Sequence, residues 1–256
     1  AYDLLVQSES GFVTTTGTPD TPSKAGISIA DIAAGMYAYT NILAALLQRG
    51  KSGKGCEIDL SMLDAMTEWM SYPLYYAYKG AEPPARAGAS HATIFPYGPF
   101  TVGDGRTVIL GLQNEREWKA FCEVVLEAPE LTTDAQFSSN SLRAQNKDTL
   151  TQIITTSFSD LTTEGVIERL DRAGIANANM NEMADVWNHV QFETRNRWRE
   201  VDTPAGRIPA LLPPGGIGAE PRMDAVPDLG EHSVALLAEF GYTEENITKL
   251  QKEKVI

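Results

Sequence analysis

One apolar run, from Ile27 to Leu47, constrains this 256-residue chain more than any other feature, and its only carboxylate is Asp31. The run is rich in alanine, which favours an α-helix, and we predict that helix over residues 32–49. Because Asp31, Thr40 and Asn41 interrupt the run, we interpret it as a buried helix of a protein core and not as a membrane span.

Asp31 stands directly in front of this predicted helix. An aspartate at that place is typically an N-cap, whose side-chain oxygen accepts a hydrogen bond from an amide of the first turn. The start of a helix also favours negative charge, so we expect an ionised carboxylate that can attack an activated carbonyl carbon. Capping and catalysis are compatible, and we predict that Asp31 is the catalytic residue.

The composition limits the classes of function. A formal net charge of −13 argues against a nucleic-acid partner, because phosphate binding depends on clustered lysine and arginine. Cys56 and Cys122 are single and lie in apolar surroundings, which predicts reduced core thiols and a cytoplasmic protein. No two of the three histidines have metal-ligand spacing, so we predict no metal site.

The order of predicted elements indicates an α/β fold class. Residues 27–79 have the pattern of a helix, a turn at 51–55, a strand over 57–60 and a helix over 62–78, which suits a layer with a parallel sheet. We place the first domain at 1–80, as part of a large Rossmann-like α/β domain. The segment 80–90, rich in alanine, proline and glycine, is a plausible linker.

A smaller α+β domain is predicted over 81–190. Its signals are a hairpin around 103–106, between strands at 93–102 and 107–112, and helices at 115–126, 146–158 and 163–173. Residues 191–256 are predicted to return to the large domain. They hold strands at 198–201 and 207–211 and helices at 231–240 and 243–252. A short helix after Asn181, ending near Trp187, leads to them.

Motifs along the whole chain resemble one enzyme group. They are Tyr2-Asp3-Leu-Leu-Val-Gln7, Gly17, Gly26, Asp31, Leu43-Ala-Ala-Leu46, Lys51-Ser-Gly-Lys-Gly55, Cys56-Glu-Ile-Asp-Leu60, Ser61-Met62-Leu63-Asp64, Arg86-Ala-Gly88-Ala-Ser-His91, Pro96-Tyr97, Asp104-Gly105, Phe137, Asn140, Arg143, Asn146, Leu229-Gly-Glu-His232, Leu237-Ala-Glu-Phe-Gly241-Tyr and Val255-Ile256. In these features the chain resembles the family III CoA-transferases, a group that includes formyl-CoA and carnitine CoA-transferases and is homologous to the α-methylacyl-CoA racemases.

The resemblance implies coenzyme A thioesters as substrates, with an acyl-CoA donor and a small carboxylic acid as partners. It implies that Asp31 attacks the donor thioester and forms a covalent aspartyl intermediate. It also implies two subunits interlocked as a homodimer, without a membrane partner. A short dicarboxylic acid of the succinate, mesaconate or itaconate type is the substrate expected by analogy.

Four further residues fall on family positions, and three of them have a structural alternative. Tyr2 aligns with an active-site tyrosine whose hydroxyl can orient a carboxylate or donate to an oxyanion, or it is a half-buried aromatic. Met62 aligns with the acyl pocket, or it is ordinary core. Gly88 remains from a glycine loop that covers the site in relatives. His91 contacts substrate or CoA, or it is a structural histidine.

Two other functions stay open. A racemase uses the same aspartate opposite a histidine as general acids and bases, but that histidine aligns with Tyr2 and its supporting glutamate aligns near Asn114, beside Glu115. We interpret Asn114 as the N-cap of a helix, with Glu117 as its capping-box partner. The chain also starts inside a motif and without methionine, so we expect a fragment that lacks the upstream CoA-binding segment and is itself inactive. A purely structural fragment is the third hypothesis.

Overall fold

The computed structural model describes residues 2–83, 85–216, 218 and 220–256. The chain divides into two compact units, residues 1–180 and 181–256. The fold is mixed helix and sheet, which confirms the predicted fold class in its coarse form. The predicted domain boundaries near residues 80 and 190 stay predictions.

The first part of the first unit is helical. Its helices are α1 (Asp3–Glu9), α2 (Phe12–Thr15), α3 (Ile29–Ser52), α4 (Met62–Trp69) and α5 (Ser71–Tyr76), followed by a 3₁₀ turn at Tyr78–Gly80. A small core of Val6, Ala30, Met66 and Met70 joins α1, α3 and α4. Helix α4 begins after Ser61, whose hydroxyl oxygen accepts hydrogen bonds from two first-turn amides.

Helix α3 is longer than predicted and is not buried in this chain. Ala30 and Ala33 are its only buried residues among those described. Large apolar side chains remain exposed along it: Ile32, Met36, Tyr39, Ile42, Leu43, Leu46 and Leu47. The prediction of a buried core helix is therefore wrong for the described structure, because an apolar pattern shows that a face is to be covered but not what covers it.

By length and composition alone, α3 is also long and apolar enough to cross a membrane. The C-terminal end of α3 agrees with the sequence pattern. Gly53 follows the last turn in the left-handed conformation (φ 71°), and its amide donates to the Arg49 carbonyl oxygen at 2.8 Å. A glycine in this conformation ends a helix without strain, so Gly53 ends α3 inside the predicted turn at 51–55, after Lys51 and Ser52, which remain helical.

The predicted strand at 57–60 does not form. Residues 53–61 have no regular secondary structure, and no parallel strand pair occurs among the described residues. A strand needs a neighbour to satisfy its backbone hydrogen bonds, and the part of the chain that the structure describes offers none to residues 57–60. Cys56, predicted to be a core thiol, is exposed for the same reason, whereas Cys122 is buried as predicted.

The rest of the first unit combines a sheet with helices. Its sheet has the order β1 (Tyr97–Thr101), β2 (Thr107–Gly111) and β3 (Ala176–Asn179), with both pairs antiparallel. The β1–β2 pair confirms the hairpin around 103–106. Strand β3 was not predicted, because its sequence of alternating alanine and asparagine has low strand propensity.

The helices of this part are α6 (Glu115–Ala120), α7 (Asn140–Gln145), α8 (Lys147–Phe158) and α9 (Thr163–Ala173), of which α8 and α9 pack on the sheet. A π-helical turn at Phe121–Val125 extends α6, so the predicted helix at 115–126 is present with a wider last turn. A 3₁₀ turn lies at Pro129–Thr132. The core that they share is built from large apolar side chains, among them Leu110, Phe121, Phe137, Leu150, Ile154, Phe158 and Leu170.

The second unit contains helices and one hairpin. Its elements are α10 (Met183–Trp187), α11 (Val190–Thr194), β4 (Trp198–Thr203), β5 (Gly206–Leu211), α12 (Ser233–Glu239) and α13 (Glu244–Lys252). Both predicted strands are present, and the structure pairs β4 with β5 antiparallel. The indoles of Trp187 and Trp198 stack with their centroids 4.6 Å apart, which joins α10 to β4.

Candidate active site

Asp31 lies in the first turn of α3, two residues inside its start, and its side chain is exposed. It is not the N-cap: Ser28 occupies that position and makes no side-chain capping hydrogen bond. Within the described residues, the Asp31 carboxylate has no hydrogen bond or ion pair. The predicted capping role is therefore wrong, and the carboxylate is exposed at the helix end where negative charge is stabilised.

The cap of α3 comes instead from α1. The Ala30 amide donates to Asp3 Oδ1 at 2.8 Å. Asp3 Oδ2 accepts from Gln7 Nε2 at 2.5 Å, and Gln7 Oε1 accepts from the Ala25 amide at 2.9 Å. Sequence reasoning missed this role of Asp3 and Gln7. The available signal was their i, i+4 spacing, which puts both side chains on one face of α1.

Two predicted site residues lie on elements that meet at the start of α3. Tyr2 is the N-cap residue of α1, next to Asp3, and 79% of its surface is exposed. Met62, the first residue of α4, is partly buried against the small core that contains Ala30. Tyr2 thus adjoins in the chain the residue that caps α3, and Met62 packs on the cluster that contains Ala30, the residue before Asp31.

Gly88 belongs to a segment that is tied to the loop after α2. Its amide donates to the Gly17 carbonyl oxygen at 2.8 Å. Arg86 attaches the same segment, because its guanidinium donates to the carbonyl oxygens of Thr14, Thr18 and Pro19 at 3.2, 2.8 and 2.7 Å. These four bonds hold the segment in place without a side chain at Gly88.

A cleft of about 200 Å³ lies beside Gly88. Its walls include Thr15 from α2, Tyr72 from α5, and Ser90. Asp31 does not line this cleft, and no hydrogen bond joins the Gly88 segment to Asp31 in the described part of the chain. The structure thus positions Gly88 at a cavity of its own.

His91 shapes the turn that leads into β1. Its Nδ1 accepts hydrogen bonds from the amides of Thr93 and Ile94 at 3.2 and 3.1 Å. Its ring stacks on Tyr97 with the centroids 5.2 Å apart. This supports a structural role, because Nδ1 is occupied by the backbone; Nε2, on an exposed side chain, is the nitrogen left to face a ligand.

The residues that bear on the racemase hypothesis have other partners. Asn114 is the N-cap of α6: its Oδ1 accepts from the Glu117 amide at 3.0 Å, as the capping-box pattern predicts. Glu115 is paired with Arg143, and its two carboxylate oxygens lie 2.8 and 2.9 Å from the guanidinium nitrogens. The hydrogen bonds from Arg143 lower the pKa of Glu115, so this carboxylate is poorly suited to hold a proton for transfer.

The remaining two histidines lie at helix ends. His189 is the N-cap of α11, and its Nδ1 accepts from the Gln191 amide at 3.2 Å; His232 is at the N-cap position of α12. Over the described residues, no group of three or more His, Cys, Asp or Glu side chains forms a metal-binding arrangement.

Comparisons with known proteins identify the family. The chain matches the family model of CoA-transferase family III over residues 1–233. It is 31% identical to the succinyl-CoA:glutarate CoA-transferase of Mus musculus, over 100% of this chain and 59% of that protein. It is 29% identical to the succinate–glutarate CoA-transferase of Agrobacterium fabrum, over 96% of this chain and 62% of that protein.

A solved structure agrees with this assignment. The chain aligns with the crystal structure of a CAIB/BAIF family protein from Brucella suis with a TM-score of 0.79 and 31% identity, over 93% of this chain and 62% of that one. The chain thus spans 59–62% of the length of these relatives. With a family model that covers most of its residues and a matching fold, this chain belongs to CoA-transferase family III.

Proposed function

We propose that the protein transfers CoA between an acyl-CoA donor and a carboxylic acid, with Asp31 as the covalent nucleophile. The observation that carries the proposal is that Asp31, in a family III chain, has an exposed carboxylate with no capping bond. Its carboxylate is exposed in the first turn of α3, and Asp3 does the capping that would otherwise occupy it. A nucleophile needs such an unoccupied oxygen within reach of the substrate.

The first half-reaction releases the donor acid. A carboxylate oxygen of Asp31 attacks the thioester carbonyl carbon, the C–S bond breaks, and the CoA thiolate leaves with the electron pair. The product is a mixed anhydride between the acyl group and Asp31. The thiolate then attacks the aspartyl carbonyl carbon, which gives an aspartyl-CoA thioester and frees the donor as its carboxylate.

The second half-reaction is the reverse sequence with a new acid. The acceptor carboxylate attacks the aspartyl-CoA thioester, the thiolate leaves again, and a second anhydride forms. Attack of the thiolate on the acceptor carbonyl carbon gives the new acyl-CoA and restores the Asp31 carboxylate. No proton is consumed, and a thioester is exchanged for a thioester at small net free-energy change.

The other family-position residues have supporting roles in this proposal. Tyr2, exposed beside the cap of α3, donates its hydroxyl to the substrate carboxylate or to the developing oxyanion. Met62 contributes to the acyl pocket, and Gly88 and His91 contact the substrate from their own segment. We propose that coenzyme A enters as its thioester substrate and that the reaction uses no metal.

The acceptor is proposed to be a short dicarboxylic acid. Relatives named for glutarate include the proteins of Mus musculus and Agrobacterium fabrum, and a relative of Haloarcula marismortui at 28% identity is named succinyl-CoA:mesaconate CoA-transferase. The names from Mus musculus and Haloarcula marismortui pair succinyl-CoA with a second dicarboxylic acid, and the name from Agrobacterium fabrum pairs succinate with glutarate.

An interlocked homodimer in the cytoplasm also remains a proposal. Its structural support is the apolar face of α3, defined by Ile32, Met36, Tyr39, Leu43 and Leu47, which the described residues leave exposed. We propose that protein, and not lipid, covers this face in the assembled enzyme.

The test uses protein expressed from the complete reading frame. It is incubated with succinyl-CoA and glutarate, mesaconate or itaconate, and acyl-CoA products are followed by mass spectrometry. Asp31→Asn should abolish transfer, while Asp20→Asn, at another exposed aspartate, should leave it unchanged. Transfer that survives in Asp31→Asn would refute the covalent role.

The alternatives predict different products. Deuterium uptake at the α-carbon of a 2-methylacyl-CoA, without transfer, would instead support the racemase hypothesis. The same assay on residues 1–256 alone tests the expectation that these residues are inactive by themselves. A complete protein that binds acyl-CoA but gives neither product would favour the purely structural hypothesis.

A further inference from the structure

The segment that leads into α3 is held at both ends by side chains of α1. Ala25 donates its amide to Gln7 Oε1 at 2.9 Å, and Ala30 donates its amide to Asp3 Oδ1 at 2.8 Å. The two side chains are joined by the 2.5 Å bond from Gln7 Nε2 to Asp3 Oδ2. Gln7 is fully buried, so water does not compete effectively for its bonds.

Among the residues that the structure describes, no local group replaces this cap. The N-cap residue Ser28 makes no side-chain capping bond, so without Asp3 the Ala30 amide would have no partner. Val6, on the same face of α1, is buried in the cluster with Ala30, which fixes the distance between the two helices. The position of the next residue, Asp31, is therefore set from α1.

We infer that Asp3 and Gln7 are positioning residues for the Asp31 nucleophile. This inference rests on the proposed function and adds to it the groups that aim the carboxylate. An attacking oxygen must sit close to the thioester carbon with the right approach, and a displacement of about 1 Å costs about a hundredfold in rate. The cap from Asp3 restricts the displacement of Asp31, and it leaves both Asp31 carboxylate oxygens without a capping bond.

The arrangement of hydrogen-bond donors and acceptors in Asp3 and Gln7 provides a test. Asp3 accepts two hydrogen bonds, whereas Gln7 donates one and accepts one. Asp3→Asn places an amide nitrogen against the Gln7 amide nitrogen, and Gln7→Glu places a carboxylate against the Asp3 carboxylate. In the double variant the new amide donates to the new carboxylate, so all three bonds can form again at unchanged net charge.

The experiment compares both single variants, the double variant and Glu9→Gln in the complete protein. Glu9 is an exposed acid of the same helix and has no partner among the described residues. The measurements are kcat and KM for succinyl-CoA with glutarate, acylation of Asp31 in a single turnover, and hydrogen exchange of the Ala30 amide. Each single variant should lower kcat by at least about tenfold with little change in KM.

The double variant should recover kcat to within about threefold of the parent, and Glu9→Gln should match the parent. Exchange of the Ala30 amide should rise in the single variants and fall again in the double variant. A single variant with parental kcat, or a double variant no better than the singles, would overturn the inference.

The exchange measurement separates this inference from the proposed function. If the parent shows no acylation of Asp31, the proposed function fails. If the Ala30 amide exchanges equally in the parent and in Asp3→Asn, the positioning inference fails, whatever the activity.

Discussion

Arg143 is the buried charge on which the α+β part of the first unit depends, and Arg143→Met tests that dependence. Its guanidinium donates to Glu115 at 2.8 and 2.9 Å, to the carbonyl oxygen of Phe137 at 3.0 Å and to that of Phe95 at 3.2 Å. It also lies over the ring of Trp118, 4.8 Å from the centroid. Only 3% of the Arg143 side chain is exposed.

The expected loss in the free energy of opening follows from the hydrogen bonds that each partner of Arg143 loses. In Arg143→Met the two carbonyl oxygens lose their donor, at about 1–3 kcal/mol for each buried acceptor. The Glu115 side chain is 59% exposed and regains water, so its lost ion pair adds about 1 kcal/mol or less. We therefore expect a loss of about 3 kcal/mol in the free energy of opening for Arg143→Met, and about 1 kcal/mol or less for Glu115→Gln.

Native-state hydrogen exchange measures this free energy locally, which matters because the chain has two units and need not unfold in one step. The slowest amides of β2 and α8 should exchange about 100-fold faster in Arg143→Met. Lys119→Met is the control, since Lys119 and Glu123 form an exposed pair at 3.7 Å that should matter little. Unchanged exchange in Arg143→Met, or an equal loss in Glu115→Gln, would refute this reasoning.

Two more predictions concern titratable groups. Burial raises the pKa of the Cys122 thiol to about 12, so a thiol reagent at pH 8 should label Cys56 alone in the native protein; labelling of both would contradict the buried assignment. Amide hydrogen bonds from Thr163 and Arg106 lower the pKa of Asp104, so its contribution to stability is full above about pH 5 and is lost as the pH falls. The unfolding midpoints of the parent and Asp104→Asn should therefore converge toward pH 2, and a gap that persists would contradict this.

The placement of Asp31 illustrates how capping and catalysis divide between two aspartates. A helix start needs an acceptor for its amides, and a nucleophile needs a free oxygen. In this chain Asp3 accepts from Ala30, and Asp31 is left exposed. The sequence alone favoured the local solution, in which Asp31 served both purposes.

Local signals determined much of this protein in advance. The hairpin around 103–106, the helices at 147–158 and 163–173, and the end of α3 at Gly53 all follow from turn residues, caps and periodicity within a few positions. The presence of an apolar helix next to Asp31 belongs to the same class, although its start at Ile29, ahead of Asp31, does not. Such features depend on neighbours in the chain, so a sequence pattern is enough to predict them.

The tertiary structure decided what depends on distant partners. The strand predicted at 57–60 lacks a neighbour, the apolar face of α3 lacks a cover among the described residues, and the cap of α3 arrives from Asp3, 27 residues earlier. The sequence shows which groups require a partner, because their polarity and apolar surface are local properties. It does not show which partner satisfies them, because that depends on which surfaces folding brings together.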